Sequence, residues 1–100
     1  MIEQMISLER LHRPASQFYF FRTHAGAEID LMIDRGTERV GVEIKAGASV
    51  DRDDWVHLAG GVSNGLIARG IVVYNGTRAF PLSDAIRALP AADALARADW

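Results

Sequence analysis

Residues 28–45 decide the fold, and they read Glu-Ile-Asp-Leu-Met-Ile-Asp-Arg-Gly-Thr-Glu-Arg-Val-Gly-Val-Glu-Ile-Lys. On both sides of the central segment 35–38, aliphatic side chains alternate with polar or small ones. A period of two is typical of β-strands, and a four-residue segment containing glycine suits the connection between them. The stretch therefore predicts an antiparallel hairpin whose loop is residues 35–38.

The register of this hairpin follows from its side-chain pattern. With the loop centred between Gly36 and Thr37, one face holds three aliphatic pairs: Ile29 with Ile44, Leu31 with Val42, and Ile33 with Val40. The other face holds three pairs without like charges: Asp34 with Arg39, Met32 with Gly41, and Glu28 with Lys45. A slip of one residue would place aliphatic side chains on both faces, so the pattern strongly favours this register.

One pair in this register has like charges, because Asp30 would face Glu43. Opposed like charges destabilise a sheet by roughly 0.2–1 kcal/mol. A hard divalent cation would relieve the repulsion, and Mg²⁺ or Mn²⁺ accepts one or two carboxylates when phosphate and water complete its shell. Lys45, the only lysine of the chain, could then orient a water or stabilise charge on a phosphate oxygen. The alternative is a solvated face on which Lys45 pairs with Glu28.

The rest of the chain predicts helices that flank further strands. The predicted helices cover residues 2–12, a segment that begins near residues 49–51, residues 84–89, and an alanine-rich segment after Pro90; the predicted strands cover residues 18–21, 70–74 and 78–82. This order, αβββαββα, predicts a single α/β domain over residues 1–100 in which one mixed, curved sheet is flanked by helices.

Composition excludes several classes of protein. The chain has 100 residues, no cysteine, and no apolar run near the ~18 residues of a membrane span. Cysteine zinc sites and disulfides are therefore excluded, and a cytoplasmic protein without a membrane segment is expected. The net charge of −2 argues against a strong sequence-independent nucleic-acid binder, although a nucleic-acid substrate stays open.

Two strings in the hairpin resemble a known motif. Residues 26–30 read Gly-Ala-Glu-Ile-Asp, and thirteen residues after Asp30 the string Glu43-Ile44-Lys45 begins. The pair resembles the PD-(D/E)XK motif of restriction-endonuclease-like phosphodiesterases. With the aromatic run 18–21 and Arg22-Thr23, residues 18–47 are most similar to a C-terminal domain of unknown function that follows an AAA-type ATPase module in many bacterial and archaeal proteins.

This resemblance implies a restriction-endonuclease-like fold and a nuclease that hydrolyses nucleic-acid phosphodiesters with Mg²⁺ or Mn²⁺. It implies that Asp30 and Glu43 are metal ligands and that Lys45 is the catalytic lysine. A first-helix acid often joins such sites, and Glu9 or Glu3 is the candidate. Ile29 stands where the motif has proline, and the Gln-x-x-x-Tyr string of RecB-like nucleases is missing.

Other residues keep two interpretations. Glu28 either supports the site or only pairs with Lys45, and His24 either reaches the site from a turn or lies in solvent. The aromatic residues 18–21 favour core packing over base stacking.

A function of another class stays open as well. The chain has no P-loop string, so an AAA-type ATPase would be its partner. The alternative function is therefore a non-catalytic interaction, dimerisation or regulatory module of such an ATPase, either docked on it or forming a homodimer. The net negative charge and an apolar tail that ends at Trp100 suggest this function.

Overall fold

The structure is a computed structural model that describes residues 1–22, 26, 28–97 and 99–100. The helices are α1 (Ile2–His12), α2 (Val56–Ser63) and α3 (Ala91–Ala96), with a short 3₁₀ helix at Arg52–Asp54. The strands are β1 (Gln17–Arg22), β2 (Glu28–Asp34), β3 (Arg39–Ile44), β4 (Arg69–Tyr74), β5 (Phe80–Pro81) and β6 (Ile86–Pro90).

All six strands form one mixed sheet in the order β1-β2-β3-β4-β6-β5. The first three strands are antiparallel neighbours, β3, β4 and β6 run parallel, and β5 pairs antiparallel with β6. The predicted fold class, a mixed α/β sheet flanked by helices, is confirmed.

Helices cover both faces of the sheet. On one face α1 and α3 pack around a core that includes Met5, Leu31 and Val73. On the other face α2 packs through Leu58 on Met32 and Val72. Because β4 contributes to both cores, its apolar sequence is continuous rather than alternating.

The helix predicted over residues 84–89 is wrong, because this segment contains β6. Ile86 and Ala88 are buried while Arg87 between them is exposed, which is the period of a strand. Capping by Ser83 and the high helix propensity of alanine and leucine favour a helix locally, but pairing with β4 along five residues outweighs that preference. β5 is also shorter than predicted, and its Pro81 lies on an edge strand, where proline is tolerated.

The hairpin face that carries Met32 and Gly41 is buried at these two residues and partly buried at Asp34 and Glu43, so it is not the solvated face that was the alternative interpretation. A Cβ atom on Gly41 would lie 2.7 Å from Cδ1 of Ile67 and 2.8 Å from Cδ2 of Leu58. Glycine at this position therefore lets α2 and the segment after it pack directly on β3. The acidic residues beyond Gly41 consequently lie at the margin of a second core rather than on an open surface.

Trp100 returns to the sheet after α3 ends and is 3% exposed. Its Nε1 donates a hydrogen bond to the carbonyl of Ala94 at 2.9 Å. The apolar tail is thus covered within the chain itself. None of the helices in the described ranges has the length and apolar character needed to cross a membrane.

Candidate metal site at the end of the hairpin

The predicted hairpin register is confirmed for the four pairs next to the loop. They are Leu31 with Val42, Met32 with Gly41, Ile33 with Val40, and Asp34 with Arg39. The pairing between β2 and β3 stops at Leu31, so the pairs predicted beyond it do not form as ladder partners.

A bulge in β2 ends this ladder. Tyr19 pairs with Met32, but Phe21 pairs with Ile29, so Phe20 of β1 lies opposite both Asp30 and Leu31. The extra residue reverses the alternation, as bulges do. Ile29 therefore packs in the α2 core, while Leu31 packs in the core on the opposite face. The predicted pairing of Ile29 with Ile44 on one aliphatic face is wrong for this reason.

Asp30 takes the place of the missing ladder partner. Its Oδ2 accepts a hydrogen bond from the backbone N–H of Ile44 at 2.8 Å. The following N–H, of Lys45, donates to the carbonyl of Val73 in β4. Backbone groups of consecutive strand residues point to opposite neighbours, so the N–H of Ile44 points toward β2. The bulge thereby holds the Asp30 carboxylate against the backbone of β3.

Glu43 meets Asp30 at this position. Burial first, and then the charge and carboxyl group of Asp30 and the charge of Glu28, raise the pKa of Glu43 to about 8, although the backbone of Asp30 acts in the opposite direction. Its Oε1 is buried and has no hydrogen-bond partner among the described residues. The two acids that the sequence predicted to face one another are therefore adjacent, and one of their oxygens is unsatisfied.

Lys45 and Glu28 do not pair as predicted. The Nζ of Lys45 lies 2.5 Å from Oδ2 of Asp54 at the end of the 3₁₀ helix, and this hydrogen bond lowers the pKa of Asp54. Glu28 instead pairs with Arg22 of β1 at 3.1 Å. The ladder between β2 and β3 ends at Leu31, so Glu28 and Lys45 are not ladder partners. Glu28 therefore pairs with β1, and Lys45 pairs with the 3₁₀ helix.

Reasoning from sequence did not identify Asp54 as the partner of Lys45. It assigned Asp51, Asp53 and Asp54 to the start of a helix. That assignment is partly confirmed, because Asp51 and Asp54 form a capping box on the 3₁₀ helix. The spacing of the acidic residues does not predict the contact between Asp54 and Lys45, because that contact depends on the path of the chain after Gly47.

Glu9 does not belong to this site. It is fully buried at the opposite end of the hairpin, where Arg35 donates two hydrogen bonds to it, both at 2.9 Å. Arg13 and Ser16 also donate to it. The other first-helix candidate, Glu3, lines an open cleft of about 540 Å³ together with Asp30 and Ile44. His24 lies outside the described residues.

The site offers two carboxyl groups for a cation. Within residues 1–22, 26, 28–97 and 99–100, no group of three or more histidine, aspartate and glutamate side chains could hold a metal ion. Asp30 and Glu43 nevertheless provide oxygen ligands, and the buried, unpartnered Oε1 of Glu43 fits a hard cation. Mg²⁺ commonly binds through one or two carboxylates and completes its shell with water and phosphate.

Comparison with known proteins identifies a family but no characterised relative. No curated protein and no solved structure is significantly similar to the chain. A family described as a domain of unknown function (DUF4143) matches residues 1–94. Because this match spans nearly the whole sequence, the chain belongs to the DUF4143 family of domains of unknown function.

Proposed function

We propose that this chain is a nuclease-like domain of the PD-(D/E)XK type that hydrolyses phosphodiester bonds in nucleic acid with Mg²⁺ or Mn²⁺. Asp30 and Glu43 would hold the cation, and Lys45 would be the catalytic lysine. The observation that carries this proposal is the Oε1 atom of Glu43, which is buried beside a second carboxyl group and has no partner among the described residues.

A carboxyl group that serves only to stabilise a fold has its oxygens hydrogen bonded or paired when it is buried. Glu43 has instead a second acid as its neighbour, and a proton on Glu43 compensates in part for the missing positive charge. A divalent cation would replace that proton and satisfy both carboxylates together. The bulge that fixes Asp30 against Ile44 holds one ligand in place before the cation arrives.

When bound, the cation would supply a Lewis acid that polarises the phosphodiester and lowers the pKa of a coordinated water. The chain itself contributes positioning and charge. Lys45 follows Glu43 by two residues and so leaves the same face of the extended chain. The Lys45 ammonium pairs with Asp54 in the structure. When substrate binds, this ammonium would exchange Asp54 for a phosphate oxygen and stabilise the negative charge there.

Calorimetric titration with Mn²⁺ tests the metal site. We expect one binding event in the wild type and none in Asp30→Asn or Glu43→Gln. Asp53→Asn is the matched control, because Asp53 is an exposed acid outside the site, and it should bind like the wild type. Equal heats in Asp30→Asn and the wild type would refute the metal site.

Cleavage assays test the reaction. The wild type with Mn²⁺ is expected to cleave plasmid or single-stranded DNA, and Lys45→Ala is expected to abolish this cleavage. Cleavage that persists in Lys45→Ala would identify a contaminant rather than this site. The absence of cleavage in a wild type that binds Mn²⁺ would leave a metal-binding domain without nuclease activity.

A second function, docking on an AAA-type ATPase or on another copy of the chain, is favoured by a different surface. Leu11 is 77% exposed and lines a shallow cleft between α1 and α3 with Leu8 and Leu95. Trp100 no longer supports this function, because it is buried. A dimer in sedimentation that Leu11→Asp dissociates, together with no Mn²⁺ binding, would favour docking over catalysis.

A further inference from the structure

The aromatic run of β1 is divided between core and solvent. Phe18 and Phe21 pack against the two cores of the sheet, as the sequence predicted. Phe20 is 75% exposed, so the prediction of core packing is wrong for this residue. β1 is one of the two edge strands of the sheet. A single exposed phenylalanine is not unusual on a protein surface, so its position relative to the acid pair decides whether it has a role.

Phe20 lies beside the acid pair. It is opposite Asp30 and Leu31 at the bulge, and together with Arg22 and Asp30 it lines a cleft of about 170 Å³. Asp30 also lines the larger cleft that reaches α1, so this one proposed ligand borders both clefts. One exposed aromatic ring, one guanidinium and the carboxylate of Asp30 thus line a single cleft.

We propose that Phe20 is a stacking platform for an unpaired nucleobase, so that the substrate of this site is a single-stranded nucleic acid. The phosphate of the stacked nucleotide would lie toward Arg22 and the acid pair. This inference rests on the proposed function and adds the class of substrate to it. Phe20 would be a positioning residue, since it would contact the base and not the reacting phosphate.

Two properties of the surface favour a single strand over a duplex. A duplex presents only base edges in its grooves, whereas stacking on a side chain requires a base that has left its neighbours. Duplex binders also depend on many phosphate contacts from basic residues. Arg22 is the only basic residue among the described residues that line this cleft, and Glu28 pairs with it, so stacking rather than backbone charge must provide affinity.

Fluorescence anisotropy with a labelled twelve-nucleotide oligothymidylate in Mn²⁺ tests the proposal. The full chain carries Lys45→Ala in this assay so that the probe stays intact. Removing one base–aromatic stack costs about 1–3 kcal/mol, so Phe20→Ala is expected to raise Kd about five- to 150-fold. Phe20→Trp is expected to retain binding, and its additional indole fluorescence should be quenched by the probe.

Tyr19→Ala is the matched control, because Tyr19 is an exposed aromatic on the same strand whose side chain leaves the opposite face. It should bind within about twofold of the parent. A blunt hairpin duplex of the same length should bind more weakly than the single strand, and an oligouridylate separates RNA from DNA as the source of the base.

Equal Kd values for Phe20→Ala and its parent would overturn the stacking role, as would duplex binding as tight as single-strand binding. A dimer that Phe20→Ala dissociates, with unchanged oligonucleotide binding, would identify β1 as a self-association edge and also overturn it. The two proposals fail separately. Mn²⁺ binding and cleavage that Phe20→Ala leaves unchanged would reject stacking alone, whereas Phe20-dependent binding without Mn²⁺ binding in the wild type would reject the metal site alone.

Discussion

Two glutamates at opposite ends of the same hairpin lose contact with water in different ways. Glu9 is fully buried and accepts hydrogen bonds from Arg35, Arg13 and Ser16. Glu43 is half-buried, has another acid as its neighbour, and keeps one oxygen without a partner among the described residues. The carboxylate of Glu9 has hydrogen-bond donors for both of its oxygens, whereas the carboxyl group of Glu43 has one oxygen without a donor among the described residues.

The electrostatics of the two glutamates differ in sign. Burial alone would raise the pKa of Glu9, but hydrogen bonds from Arg35 and Ser16 and the charges of Arg35 and Arg13 outweigh it and lower that pKa. At Glu43 burial and the charge of Asp30 act in the same direction and raise the pKa to about 8. Burial raises the pKa of both groups, and the charges and hydrogen-bond donors around each group decide whether that effect is offset, as at Glu9, or reinforced, as at Glu43.

The largest expected effect tests whether Glu9 is structural. Arg35→Ala should lower the free energy of unfolding by about 3–5 kcal/mol, because it leaves a buried carboxylate without its main partner. Arg39→Ala, an exposed arginine beside the same loop, should change it by less than about 0.5 kcal/mol. Urea unfolding followed by tryptophan fluorescence measures both, and a loss below about 1 kcal/mol in Arg35→Ala would contradict the comparison.

The second-largest effect tests whether Glu43 binds a cation. Mn²⁺ at about 100 times its Kd should raise the free energy of unfolding by about 2.7 kcal/mol, provided that the unfolded chain does not bind it. Glu43→Gln should remove this gain, whereas Arg13→Ala, which alters only the Glu9 site, should keep it. Thermal or urea unfolding with and without Mn²⁺ gives the answer. An equal gain in Glu43→Gln would place the ion elsewhere.

A third effect uses the pH dependence of the metal-free protein. Between the ordinary glutamate pKa of 4.5 and about 8, folded Glu43 holds a proton that the unfolded chain releases. The free energy of unfolding should therefore decrease as the pH rises through this range. Glu9 acts in the opposite direction, because its lowered pKa stabilises the fold above about pH 4.5 and this stabilisation is lost as the pH falls.

Urea unfolding of Glu43→Gln and of the wild type between pH 3 and pH 9 separates the effects of the two glutamates. The decrease toward pH 8 should be smaller in Glu43→Gln, while the loss of stability in acid should remain. Identical profiles for the two proteins would show that Glu43 does not hold the proton.

The smallest effect on stability is expected at the lysine. Lys45→Ala removes a partly exposed ion pair with Asp54 and should cost no more than about 1 kcal/mol. Lys45→Ala should abolish cleavage, whereas Asp54→Asn should leave both cleavage and the free energy of unfolding near the wild-type values. Unfolding and cleavage measured on both variants provide the test. A large loss of stability in Lys45→Ala would make the ion pair structural and weaken its assignment to catalysis.

Local sequence was sufficient for the hairpin loop and for the four strand pairs next to it. Alternation in residues 28–45 predicted the loop and the register of four pairs, because side-chain alternation along a strand is a property of the chain itself. Asp30 and Glu43 are adjacent as predicted, but through the bulge in β2 and not as the ladder pair that the alternation implied. The apolar run of β4 and the amphipathic spacing of α1 were likewise readable from neighbouring residues.

Long-range packing decided the remainder. Residues 86–90 became a strand because β4 offered a free edge, and Phe20 stayed exposed although its neighbours Phe18 and Phe21 pack against the two cores. The bulge at Asp30, the partner of Lys45 and the burial of Glu9 each depend on segments that are distant in sequence. Strand pairing and burial of this kind depend on which surfaces pack together in the folded chain, and the local periodicity of the sequence does not predict those contacts.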